Sequence, residues 1–288
     1  MNNISSNSES SPNKHTPATM LRNDPGYHIG KLSALRKFGI LFSTLRNPQS
    51  FIMDRMALRN VVEYTTRTGV RFKVRSKTSD INEAVVVMSG KEYPPELLDI
   101  DTTDRPVVFD IGGHIGSFSL YVKNRKPDAQ VIVFEPFVEN LALLKSNLQL
   151  NGFTDVTVIS KALYGSAGRY FLDLHHHGFD GGTLSDTPTQ RCFEIETITL
   201  EDVLESNPQL ALVDVMKMDI EGSEFEIVRK SLKTLTSSVR RLVMEYHPNS
   251  VLSEHNRDYL IHKLTHEAPF VLIYETANIL GLHNASIS

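Results

Sequence analysis

A single cysteine, Cys192, stands among the 288 residues, so no internal disulfide can form. No apolar run approaches the roughly 18 residues that a membrane helix needs, and the polar amino terminus does not read as a signal peptide. The expected compartment is therefore cytoplasmic, with no membrane partner. A basic excess is missing too: 30 Lys and Arg face 34 Asp and Glu, for a net charge of −4. Grip on a nucleic-acid backbone needs a positive field, so nucleic acid is not an expected partner. Also absent is the dinucleotide fingerprint G-x-G-x-x-G. Counted from Gly112, its later glycines would fall on His114 and Ser117; counted from Gly113, on Ile115 and Phe118.

What is present has the composition of a globular protein, 40% hydrophobic and 22% charged. Residues 1–26 are rich in Asn, Ser and Pro and are expected to be disordered. Residues 27–104 read as an amino-terminal extension. Within it, Leu32, Leu35, Phe38, Phe42 and Leu45 recur at helical steps, and Val61 to Arg75 alternates as a β-hairpin with Gly69 in the turn. Thr78 to Ala84 reads as a loop or short helix before the apolar run Val85 to Met88. The prolines of KEYPPEL then interrupt regular structure. A charged connection near Asp99 to Arg105 marks the boundary to a main domain, residues 105–288.

That domain is organised around VVFDIGGHIGSFSLYV, Val107 to Val122. A short β-branched run, an acid (Asp110), a glycine turn (Gly112, Gly113, Gly116) and a helical pattern form the opening crossover of a doubly wound α/β sheet. Such sheets bind ligands at the carboxyl ends of their strands. The next strand, Val131 to Phe134, ends in Glu135 and Pro136. Its acid lies about 20 residues beyond the turn, where Rossmann-like folds present a carboxylate to ribose. Val156 to Ile159 and Arg169 to Leu174 read as further strands, and HHHGFDGGTL, His175 to Leu184, as an irregular loop. ALVDVMKMDIEGSE is a buried strand carrying Asp214, Lys217 and Asp219, and unpaired buried charge needs a reason. At a period of two, Lys217, Asp219 and Glu221 share a parity, as do Glu245 and His247 in RLVMEYHP. Two strand ends thus bring five polar residues towards one crevice as a catalytic cluster. No metal is assigned, although Asp219, Glu221, Glu245 and His247 are all ligand types for divalent cations.

With these motifs assembled, the chain resembles the FkbM family of S-adenosylmethionine-dependent methyltransferases. FDIGGHIGSFS is similar to its DIGANIG-type motif, with Gly113 for alanine and His114 for asparagine. VIVFEPFVENLALLKSNLQLNG, VMKMDIEGSEFEIV and VMEYHP are similar to three further segments in the same order, over about Tyr93 to His247. The resemblance implies a Rossmann-like class I methyltransferase sheet of seven mostly parallel strands. It implies S-adenosylmethionine as cofactor and methyl transfer to a hydroxyl, or carboxyl, of a small natural product or sugar. Asp110, Gly112 and Gly116, with Gly113 and His114 in the same turn, would then line the methionine end. Glu135 and Pro136 would lie at the ribose, Ser160, Lys161 and Ala162 near adenine, and Asp219 beside the donor. His247 or Asp219 would take the acceptor's proton, with Lys217, Glu221 and Glu245 around them. The rival readings are an NAD-dependent oxidoreductase, which the glycine spacing opposes, and a non-catalytic nucleotide-binding module. The carboxy-terminal residues show no obvious cap, so the chain is compatible with one domain of a longer polypeptide. Oligomeric state is not legible.

Overall fold

The computed structural model describes residues 21–22, 34–174, 182–188, 192–247 and 256–287. The extension comprises β1 (Leu21–Arg22), α1 (Ala34–Thr44), α2 (Ser50–Arg55), the hairpin β2 (Val61–Thr65) and β3 (Arg71–Arg75), α3 (Asp80–Met88) and α4 (Pro95–Leu98). Then follow β4 (Val107–Ile111), α5 (Ser117–Arg125), β5 (Gln130–Phe134), α6 (Val138–Leu150), β6 (Thr157–Ile159) and β7 (Ala162–Leu163). β8 (Gly168–Leu174), β9 (Gly182–Ser185), β10 (Cys192–Ile198), α7 (Leu200–Ser206), β11 (Val213–Asp219), α8 (Glu224–Ser238) and β12 (Val239–Glu245) come next. The last elements are α9 (Arg257–His266), β13 (Phe270–Glu275) and β14 (Ile279–Asn284).

The main sheet has the order β1-β13-β14-β12-β11-β4-β5-β6. From β12 to β6 every pairing is parallel, and β14 runs antiparallel to both its neighbours. Setting aside the two-residue β1, this is the expected seven-stranded, mostly parallel Rossmann-like sheet. β1 itself corrects one expectation: Leu21 and Arg22 pair with Tyr274 and Glu275 although they fall in the segment read as disordered. The rest of residues 1–26 lies outside the described residues.

Alternation along the strands divides the core. Phe109, Ile111, Met216 and Met218 pack with Phe225, Val228, Leu235 and Leu264 of α8 and α9. Val108, Val131, Val215 and Val243 face the other way, against Phe118 and Val122 of α5 and Tyr93 and Leu97. Fully burying such a side chain contributes roughly 1.5–3 kcal/mol, so a buried parallel sheet can be built from these short runs alone. One charged exception, Asp214, has its reason at the other end of the sheet from the cavity: it pairs with Arg240 at 2.7 Å and accepts from the Val107 amide.

The extension packs against this sheet. Val62, Tyr64, Phe72 and Val74 of the hairpin share a buried cluster with Ile115, Val133 and Leu144. Two asparagines of α6 act as a strand partner for β3. Asn147 accepts from the Lys73 amide and donates to its carbonyl, and Asn151 does the same for Arg71. The stretch expected as a loop or short helix followed by an apolar run, Thr78 to Met88, is one helix from Asp80 onward, because Ile81, Ala84 and Val85 form a helical stripe that packing on α5 secures. A second sheet, β7-β10-β8-β9, takes in residues 182–184, which were expected to be irregular. Residues 175–181 of that expected loop, including all three adjacent histidines, lie outside the described residues.

Candidate functional site

The doubly wound order reverses between β4 and β11, and the glycine turn after β4 opens there. Gly112 has φ +79°, and a Cβ on it would stand 2.0 Å from the Asp219 carbonyl oxygen, so only glycine fits. Gly113 meets Val133 in the same manner, at 2.2 Å. His114 follows with φ +47°, an uncommon conformation for a side-chain-bearing residue. That conformation aims its amide at Glu135, whose Oε2 accepts at 2.7 Å, while Oε1 accepts from the Phe137 amide at 2.9 Å. Turn and neighbouring acid are therefore one hydrogen-bonded unit. Burial pushes the Glu135 carboxyl up, opposed by these amides and by His114.

The His114 ring joins this unit to the extension. Its Nε2 lies 3.3 Å from Asp80 and its Nδ1 3.5 Å from Glu83, both on α3. Burial opposes the imidazolium, but these acids outweigh it and raise the ring's pKa. Burial would likewise raise Asp80, yet hydrogen bonds from His114 and Arg75 hold its carboxyl well below the usual range.

Across the switch point, Lys217 Nζ donates to the Gly112 carbonyl at 2.9 Å and lies 3.4 Å from Asp110 and 3.7 Å from Asp219. β11 and β12 pair in register so that Asp219 stands opposite Glu245. Just beyond, Glu221 leaves the strand with φ +53° and still points back, 3.8 Å from His247 Nε2. The same Nε2 lies 4.0 Å from Asp219 and 3.9 Å from Glu245. His247 Nδ1 faces the fully buried Glu224 at 3.2 Å, and Glu224 is itself fixed by the amides of Ile220 and Gly222. Burial opposes charge on His247, but Glu224, Asp219 and Glu221 push its pKa up to about 10. Glu245 is pushed to about 7, by burial first and then by Asp219. Asp219, Glu245 and His247 each offer a ligand atom within 4.8 Å of the others, a grouping able to hold a metal ion.

These groups line one cavity of about 310 Å³, within the size range of small-molecule sites. The expected residues Gly112, Gly113, His114, Glu135, Pro136, Ala162, Lys217, Asp219, Glu221, Glu245 and His247 all border it. Four others do not. Asp110 is fully buried behind the wall, where it accepts from Ser119 at 2.7 Å and faces Lys217. Gly116 makes the left-handed start of α5 and leans on Leu144. Ser160 and Lys161 lie away from the cavity, Lys161 pairing with Glu196 at 2.7 Å. The motif and the resemblance that drew them in fix places along the chain, not how deep a side chain sits.

Sequence reasoning missed the opposite wall. Glu83, Val86, Val87, Glu92 and Tyr93 come from the extension, and Thr276 and Asn278 from the turn between β13 and β14. Only the mixture of Glu92 and Tyr93 with two prolines hinted at a shaped turn there.

A reversed strand order with a glycine turn and a paired acid at the switch point defines a doubly wound, Rossmann-like ligand-binding fold. A profile of the Methyltransferase FkbM domain matches residues 110–270, more than half of the chain, and the protein belongs to the FkbM methyltransferase family. Methyltransferase sdnD of Sordaria araneosa is 28% identical over 170 residues, a match that takes in 49% of this chain and 66% of that relative. The hexuronic acid methyltransferase AglP of Haloferax volcanii is 26% identical over 192 residues, 64% of this chain and 77% of its own. Among solved structures, the Methyltransferase FkbM from Methylobacillus flagellatus KT aligns with a TM-score of 0.42 at 18% identity, over 62% of this chain and 44% of that one.

Proposed function

We propose that this methyltransferase uses S-adenosylmethionine to methylate a hydroxyl, or carboxyl, oxygen of a small natural product or sugar in the cytoplasm, without nucleic-acid or membrane partners. The observation that carries the reading is the unit of Gly112, His114 and Glu135 on the wall of a cavity that Asp219, Glu245 and His247 also line. The residues fit the donor. The turn leaves no room for a Cβ at Gly112, and Glu135 offers a carboxylate for ribose hydroxyls. Bound there, the donor would supply an electrophilic methyl group on a sulfonium that carries its own leaving group.

The chain's own task is then alignment and removal of one proton. His247 was one of two candidate bases, but a ring held protonated to about pH 10 cannot accept a proton at neutrality. Glu245, poised near 7, is the better acceptor, with the imidazolium of His247 beside it to stabilise the charge that develops. Lys217 fixes the turn to β11 through the Gly112 carbonyl, a positioning role.

Calorimetry with S-adenosylhomocysteine tests the reading directly. The wild type should bind it, and Glu135→Ala should lose about tenfold or more, the scale of a lost charged hydrogen-bond partner. Stabilisation by NAD instead, in a thermal-shift titration, would move the protein to the oxidoreductase reading. Incubation with isotope-labelled donor and a metabolite extract should label a small molecule, and retention of that activity under a chelator would remove a metal from the mechanism.

A further inference from the structure

Glu92 has no place in the chemistry above. It sits in the turn between α3 and α4, contributed by the extension, and borders the cavity. Its Oε2 is sealed from solvent and has no hydrogen-bond partner among the described residues. A buried carboxyl oxygen left without a donor is costly, and no described residue supplies a donor for this one. Burial pushes its carboxyl well above the usual range, reinforced by Glu245, Asp219 and Glu83 and opposed by Lys217. The neighbouring acids make any further anion unwelcome and leave a cationic N–H group as the partner that answers both needs.

Position narrows the choice. Tyr93, next in sequence, packs edge-on against Phe118 in the first turn of α5, with ring centroids 5.0 Å apart. Glu92 therefore lies on the α5 side of the glycine turn, while Glu135 lies on the β5 side. With a ribose held at Glu135, the donor's amino-acid end would have Gly112, Lys217 and Glu92 on the remaining wall of the same cavity. Lys217 carries a positive charge there, kept by Asp110 and Asp219 against the opposing effect of burial. Lys217 and a Glu92 carboxyl oxygen with no donor among the described residues, on the wall of one cavity, complement an α-amino acid zwitterion.

Resting on the donor reading above, we propose that Glu92 is a ligand-binding residue that accepts a hydrogen bond from the α-ammonium group of the bound methionine or homocysteine moiety. The extension is then part of the donor site as well as a cover for it.

A double-mutant cycle by calorimetry tests this without knowledge of the methyl acceptor. The ligands are S-adenosylhomocysteine and its analogue lacking the α-amino group; the proteins are wild type and Glu92→Gln. The wild type should bind the complete ligand at least tenfold more tightly than the analogue, and Glu92→Gln should erase most of that preference while binding the analogue almost as the wild type does. Unchanged affinity of Glu92→Gln for S-adenosylhomocysteine, or an equal loss for both ligands, overturns the assignment. Should melting curves show Glu92→Gln unfolded, Glu92→Asp carries the test, with a selective loss for the complete ligand expected and an equal loss for both overturning it. A folded wild type that binds neither ligand removes the donor reading itself, and the Glu92 assignment with it.

Discussion

Glu245 and His247 lie 3.9 Å apart and are both shifted upward, the acid towards its neutral form and the ring towards its charged one. The carboxylic acid is pushed up to about 7 and the imidazole up to about 10, so at neutral pH the pair holds a proton on the ring and a half-titrated carboxyl beside it. Turnover should therefore rise with pH through about 7 as Glu245 ionises. Glu245→Gln should lower the single-turnover rate about 100-fold and abolish that rising limb, with S-adenosylhomocysteine affinity little changed. A variant that keeps the limb would place the base elsewhere.

The histidine carries a second expectation, for stability. Its folded pKa, about 10, exceeds the ordinary 6.5, so folding favours the protonated ring. That contribution is complete below about 6.5 and is lost as pH climbs through about 10. Melting temperatures of the wild type should accordingly fall towards those of His247→Gln between these limits. Curves that run parallel from pH 6 to 10 would show that the ring is not held as a cation.

At the scale of elements, the turn after β4 separates two glycines that look alike in sequence. Gly112→Ala drives a Cβ into the Asp219 backbone and should prevent folding or cost several kcal/mol, beyond the about 1 kcal/mol typical of glycine replacements. Gly116→Ala meets only Leu144, at 3.4 Å, so it carries the backbone strain of φ +91° and should fold with a lowered melting temperature. Urea titration of both variants orders them. Much of this was legible, because a turn between a strand and a helix is fixed by residues within a few positions of one another. The acid of β5 was legible for the same reason, as its distance from the turn is set by one helix. Asp110 was misplaced because the pattern that marks a strand end does not say which side chain the next layer covers. Glu92 and Asn278 were illegible. They reach the cavity from opposite ends of the chain, and no local period connects them to Gly112.

At the scale of the whole molecule, the family profile begins at Asp110, yet a wall of the cavity is made before it. Charge follows the same division. The chain's net charge is −4, but the hairpin and its flanking segments carry Arg46, Arg55, Arg59, Arg67 and Arg71 on their surface, while Asp219, Glu221 and Glu245 gather at the strand ends that line the cavity. The main domain was expected from Arg105 onward; the main sheet draws its strands from beyond that point except for β1, Leu21 and Arg22, which pairs with β13. What the boundary does not convey is that Asp80 and Glu83 hold the His114 turn from outside the sheet.

The asparagine pairing between α6 and β3 bears on how the protein can be cut. Asn147 and Asn151 give β3 the hydrogen bonds that another strand would give it, and Asn147 also donates to the Ile115 carbonyl in the glycine turn. A shortened polypeptide starting at Arg105 would strip four hydrogen bonds from those side-chain amides and bare Val133, Leu144 and Phe118 to water. Excision along the family boundary should thus yield an aggregating fragment rather than a minimal enzyme. Mixing that fragment with a separately produced 27–104 peptide should restore solubility and ligand binding together, as in split-protein complementation. Limited proteolysis offers the complementary reading: a nick within residues 99–105 should leave the two pieces associated on a sizing column.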